Sequence, residues 1–76
     1  MRETIEMIVK ALVEDDEAVD VREIDRNGST LIEIRVARQD MGKIIGKQGK
    51  TVRALRSLVR IVSAKRKHRF VLEIIE

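Results

Sequence analysis

Apolar residues recur with helical spacing at the start of the chain and with strand spacing just after it. Ile5, Ile8, Val9 and Leu12 fall at i, i+3, i+4 and i+7, which predicts a helix over residues 2–14 with one stripe facing a core. Arg2, Glu3, Glu6, Lys10 and Glu14 fill its polar side. Glu14-Asp15-Asp16-Glu17 then sets four carboxylates against the negative end of the helix dipole, so the helix is expected to stop there and the acidic run to be a solvated loop. Ala18–Arg26, with Val19, Val21 and Ile24, is predicted as a strand. Asn27-Gly28 follows it, a strong hairpin signal between two strand-like runs. Across Ser29–Ala37 the residues Ile32, Ile34 and Val36 alternate with Glu33 and Arg35, so this second strand is expected to be buried on one face. Helical spacing then returns. Asp40 is placed to cap a short helix whose apolar face is Met41, Ile44 and Ile45, with Gly42 giving room for a close approach. From Gly49 a long helix is predicted to run to about Lys67, its core stripe being Val52, Leu55, Val59 and Val62. Arg69–Ile75 is nearly all apolar and is predicted to be a well-buried strand. The order is α-β-β-α-α-β within a single domain, residues 1–76, without linker or repeat.

Composition narrows the chemistry. Seventy-six residues support one small core. Cysteine is absent, which removes disulfides, thiolate nucleophiles and cysteine metal sites. His68 is the one histidine and lies in a basic run with no carboxylate near it in sequence, so neither a metal site nor a general base is expected. No P-loop or dinucleotide fingerprint is complete. The reading is a non-enzyme with no catalytic residue, no metal and no cofactor. No apolar run approaches membrane-spanning length and no signal-peptide pattern opens the chain, so a cytoplasmic setting without a membrane partner is expected. The net charge of +3 hides a strong asymmetry. Residues 1–33 carry 4 Lys/Arg against 10 Asp/Glu, whereas residues 34–76 carry 12 against 3. Such polarity points to one face that meets a polyanion. Phe70 is the sole aromatic residue, which argues against modules that stack bases on aromatic platforms.

The candidate site lies in the basic half, at Gly46-Lys47-Gln48-Gly49. Two glycines between helical flanks predict a tight turn, because each costs roughly 0.8–1.0 kcal/mol against alanine inside a helix. They permit positive φ and a close approach to the backbone. Unpaired N–H groups near Lys50 and Thr51, beside the charges of Lys47 and Lys50, then form an anion site suited to phosphate. Beside this site Ile44, Ile45, Val52 and part of the second strand, at Ile34 or Val36, are placed to line an apolar groove. Gln48 offers both a donor and an acceptor. At 100° per residue Arg53, Arg56, Arg60 and Lys67 share a wedge of roughly 60°, a basic stripe beside the turn. The bland alternative is a helical corner that needs its glycines only for sterics.

The run Asp40-Met41-Gly42-Lys43-Ile44-Ile45-Gly46-Lys47-Gln48-Gly49, with Val52 beyond it, resembles the signature of KH domains. The element order resembles the type II variant, in which a helix and strand precede the shared β-α-α-β core. More narrowly, the whole chain is similar to the bacterial KhpA (YlqC-like) family. The resemblance implies an α+β fold with a three-stranded mixed sheet and helices on one face. It implies a small RNA-binding protein, with Lys43, Ile45, Gly46, Lys47, Gln48, Gly49, Lys50, Arg53 and Arg56 as the contact residues. The expected ligand is single-stranded RNA held with low sequence selectivity, in post-transcriptional regulation or RNA chaperoning. The expected protein partners are a second copy and a larger multidomain KH protein of the KhpB kind. An alternative reading is an assembly module whose RNA binding is secondary.

One further pattern bears on pairing. On the long helix Ala54, Leu58 and Ile61 lie at i, i+4 and i+7, off the core stripe. They form a second apolar strip that the monomer is not expected to bury fully, and it is assigned as a twofold dimer interface.

Overall fold

The computed structural model describes all residues 1–76 as three helices and a three-stranded mixed sheet. Helix α1 is Arg2–Leu12, strands β1 and β2 are Asp20–Arg26 and Ser29–Arg35, α2 is Met41–Ile45, α3 is Lys50–Arg66, and β3 is Arg69–Ile74. The expected order holds. In α1, Ile5 and Val9 are buried and Ile8 packs at their margin. The helix stops two residues short of the expected end, and Val13 is already extended (φ −101°, ψ 162°). The next two backbone N–H groups, of Glu14 and Asp15, donate to the Asp40 carboxylate at 3.2 and 3.1 Å, which draws the chain off the helix axis.

Asp40 therefore does not cap α2, as its position in the sequence suggests. Its side chain makes no cap hydrogen bond to α2, is 1 % exposed, and ties the end of α1 to the start of α2. The acidic run is likewise less loose than expected. Asp16–Ala18 form a single 3-10 turn, so β1 begins at Asp20 rather than Ala18, and Glu14 pairs with Lys43 at 2.8 Å.

β1 and β2 are antiparallel, with Arg26 opposite Ser29 across the two-residue turn and Gly28 at φ +75°. β2 is the central strand and runs parallel to β3, with Ile32 opposite Leu72. The period of two decides what each face does. Val21, Ile32, Ile34 and Leu72 join Ile5, Val9, Ile44, Val52, Leu55 and Val59 in one cluster beneath the helices. On the open face Leu31 is flanked by Ile24 and Val71 across the strands and is still only 8 % exposed.

β3 is not buried throughout. Leu72 is buried, Phe70 and Ile74 are half-buried, and Arg69, Val71 and Glu73 are exposed on the uncovered face. It pairs along one edge only, because it is the outer strand. Val62 is half-buried and lies outside the cluster expected to contain it, whereas Leu58 packs against that cluster at its rim. The end of α3 is fastened to β3 by Ser63, whose hydroxyl donates to the Val59 carbonyl (2.8 Å) and accepts from the Phe70 N–H (3.0 Å). Lys67 then leaves the helix with φ +54°. His68 follows, with Nε2 2.8 Å from the Thr30 hydroxyl, which donates to Asp25 at 3.0 Å. This makes the histidine a strut between β2 and β3. No helix is long and apolar enough to cross a membrane.

Candidate nucleic-acid interface

The turn between α2 and α3 is built by backbone geometry. Gly46 has φ +78° and ψ 167°, a region open only to glycine. A Cβ there would collide with Thr51 Oγ1 and come within 2.7 Å of the Thr51 backbone nitrogen. Gln48 (φ 58°, ψ 26°) and Gly49 (φ 74°, ψ 16°) follow in left-handed conformation. The Gly46 carbonyl accepts from the Gly49 N–H at 3.0 Å, and the Lys47 carbonyl accepts from the Lys50 N–H. In a planar trans peptide the N–H points opposite to the carbonyl. Hence the N–H groups of Lys47 and Gln48, which share those two peptides, point away from the turn. These are the groups an anion would meet, one turn earlier in the chain than the Lys50 and Thr51 amides named from sequence. The side chains of Lys47, Gln48 and Lys50 are exposed around them.

Two of the basic candidates are engaged inside the protein. Lys43 lies 2.8 Å from Glu14 and 3.7 Å from Asp40. Its ammonium pKa is raised, chiefly by the hydrogen bond to Glu14, and its charge is compensated where it stands. Arg53 folds back on the turn: Nη2 donates to the Gln48 carbonyl at 2.6 Å and Nε to the Gly49 carbonyl at 3.3 Å.

The apolar groove is not where the sequence places it. Ile34 and Ile44 are fully buried and Val52 is 9 % exposed, so these are core. Ile45 is exposed and remains available beside the turn, and Val36 is half-buried against the core. One open groove lies between α3 and β3. It measures about 320 Å³, with Val59, Phe70, Val71 and Leu72 as its apolar lining and Arg56, Arg60 and Arg69 as its charges. Arg69 and Phe70 are absent from the sequence candidates because β3 reads as an interior strand. Arg60 was visible there as part of the basic stripe, and Lys67 falls off that stripe because it has left the helix. Gly42 has open space around its Cβ position, so no strand or side chain of the protein approaches it closely.

Of the pairing strip, Ile61 is 66 % exposed and Ala54 is exposed, while Leu58 is half-buried. Leu58 and Ala54 border a second, larger groove of about 430 Å³ toward α1, shared with Ile8 and Leu12 and reaching Lys50 and Thr51 beside the turn.

Comparison with known proteins agrees with this architecture. A family model described as KhpA/KhpB, KH domain, matches residues 2–74. A protein of Caldanaerobacter subterraneus named RNA-binding protein KhpA is 48% identical over 75 residues, covering 99% of this chain and 100% of its own length. The protein of that name from Clostridium perfringens is 41% identical with the same coverage. Among solved structures, Aquifex aeolicus Era superposes on 96% of this chain and 28% of its own, with a TM-score of 0.61 at 16% identity, a likeness of fold alone. With the match spanning nearly every residue, the chain belongs to the KhpA/KhpB KH-domain family.

Proposed function

We propose that this protein binds single-stranded RNA by seating a sugar–phosphate backbone on the turn at residues 46–49 and laying the following bases along the groove between α3 and β3. The observation that carries the reading is the pair of N–H groups of Lys47 and Gln48, turned outward between two positive-φ glycines and flanked by Lys47 and Lys50. Relatives named as RNA-binding proteins support it. The groove supplies apolar surface for bases and three arginines, Arg56, Arg60 and Arg69, for the chain that carries them. Its contacts are to backbone and to the flat faces of bases, which every nucleotide has, so selectivity is low. That suits a protein acting on many transcripts, in post-transcriptional regulation or RNA chaperoning. Neutralising three or four phosphates should give a log–log salt dependence with slope of about −2 to −3, from roughly −0.7 per contact on a single strand. A titration of fluorescent mixed-sequence RNA across salt concentrations reads this slope, and a flat response would exclude the basic half as the contact surface.

A second surface favours pairing. Ile61 at 66 % exposure, with exposed Ala54 two turns before it on α3 and half-buried Leu58 between, gives an apolar strip on which a second copy would pack through a twofold axis. A larger multidomain KH partner of the KhpB kind would use the same strip. Ile61→Asp would bury a charge in such an interface and is expected to yield monomers with an unchanged circular dichroism spectrum. Sedimentation at tens of micromolar decides it: a monomeric parent chain, or a variant that still pairs, would remove α3 as the interface.

A further inference from the structure

We propose that Arg53 does not contact RNA directly but is the positioning residue that shapes the phosphate-facing turn; this rests on the RNA-binding reading above. The turn has four carbonyls to place. Those of Gly46 and Lys47 are taken by the N–H groups of Gly49 and Lys50. That of Gln48 is taken by Arg53 Nη2 at 2.6 Å, and that of Gly49, which as the cap of α3 already opens the helix ladder, receives a second, longer bond from Arg53 Nε at 3.3 Å. The planar fork of the guanidinium is what spans two successive carbonyls, and a lysine ammonium has no such fork. The arrangement has two consequences. It draws the negative end of the Gln48 peptide dipole away from the surface where a phosphate sits, the Gly49 carbonyl being already directed into α3. It also pins Gln48, a non-glycine residue at φ 58°, in the left-handed region that most side chains avoid. With Gln48 held, its N–H and that of Lys47 stay aimed outward. Arg53 thus acts on the anion through the backbone that it orders, while the free charges around the turn remain those of Lys47 and Lys50.

The test compares Arg53→Lys and Arg53→Gln with the parent chain in binding a fluorescent mixed-sequence RNA, at several salt concentrations, together with amide exchange at Gly49 and Lys50, whose N–H groups are hydrogen-bonded within the turn. The expected result is that both variants weaken binding by about tenfold, with lysine no better than glutamine. The salt slope should be unchanged, because no phosphate contact has been removed, and the two amides should exchange faster than in the parent. Three results would overturn the proposal: lysine binding as well as arginine, a glutamine variant whose slope is shallower by about 0.7 as for a lost phosphate contact, or unchanged exchange at the turn. If the parent chain itself binds no RNA, the functional reading fails, and amide exchange alone decides whether Arg53 shapes the turn.

Discussion

The double variant Lys47→Asp, Gln48→Asp is expected to lose RNA binding by about 100-fold or more while remaining folded. Both side chains are exposed and neither belongs to the core cluster, so no apolar contact is removed. Aspartate tolerates the left-handed conformation at position 48 better than most residues, so the turn keeps its shape. What changes is the sign of the charge beside the two outward N–H groups. One cation is lost and two carboxylates are set against phosphate. Like charges opposed at a contact cost several kcal/mol, and each 1.4 kcal/mol is a tenfold change in affinity. Fluorescence anisotropy gives the affinity, and a thermal melt followed by circular dichroism checks the fold. A folded double variant that binds RNA as the parent does would remove the turn from the interface.

The largest effect on stability is expected at Asp40. Its carboxylate is 1 % exposed and accepts from the N–H groups of Glu14 and Asp15, with Lys43 at 3.7 Å. Asp40→Ala leaves both N–H groups without that acceptor and unhooks α1 from α2. Loss of buried hydrogen bonds of this kind in so small a domain should lower Tm by about 5–10 °C at pH 7. The pH dependence follows from the direction of the shift. The carboxyl pKa lies below its ordinary 3.8, chiefly because of the Asp15 N–H bond, with Glu14 N–H and Lys43 adding to it against the opposing effect of burial. The unfolded chain therefore takes up the proton first. The stabilisation is present above the ordinary value and is lost as pH falls below it, through the folded value. Lys43 behaves in the opposite sense. Its raised pKa gives a contribution that is present below 10.5 and is lost only as pH rises beyond it. The Tm difference between parent and Asp40→Ala should thus be constant from about pH 5 to 9 and shrink in acid. Equal melting temperatures at pH 7 would show that Asp40 is not the tie between the two helices.

The parts of the fold that depend on local pattern were readable in advance. The stripe of Ile5 and Val9, the Asn27-Gly28 turn and the glycine pair at 46 and 49 each follow from spacing or backbone sterics within a few residues. What could not be read depends on distant partners. Asp40 looks like a helix cap because aspartate usually is one, and only the fold brings Glu14 and Asp15 to it across 26 and 25 residues. β3 looks interior because Phe70, Val71, Leu72 and Ile74 are apolar, yet its place at the sheet edge leaves Val71 38 % exposed. The same ambiguity hid the groove. Ile34, Ile44 and Val52 are the right residue type for a binding floor, but apolar type alone does not separate floor from core. Arg53 and Lys43 read as free cations, since their carbonyl and carboxylate partners become neighbours only once the turn and the end of α1 have formed.

The most direct measurement is a titration of the 15N-labelled protein with a short mixed-sequence single-stranded RNA, following backbone amide signals. The expected result is a set of perturbations at Lys47, Gln48 and Lys50, extending along Arg56 and Arg60 of α3 to Phe70 and Leu72 of β3, with the open face of the sheet at Ile24 and Leu31 unaffected. Perturbations confined to that open face or to α1, or none at saturating RNA, would contradict the assignment of the turn and its groove as the RNA-binding surface.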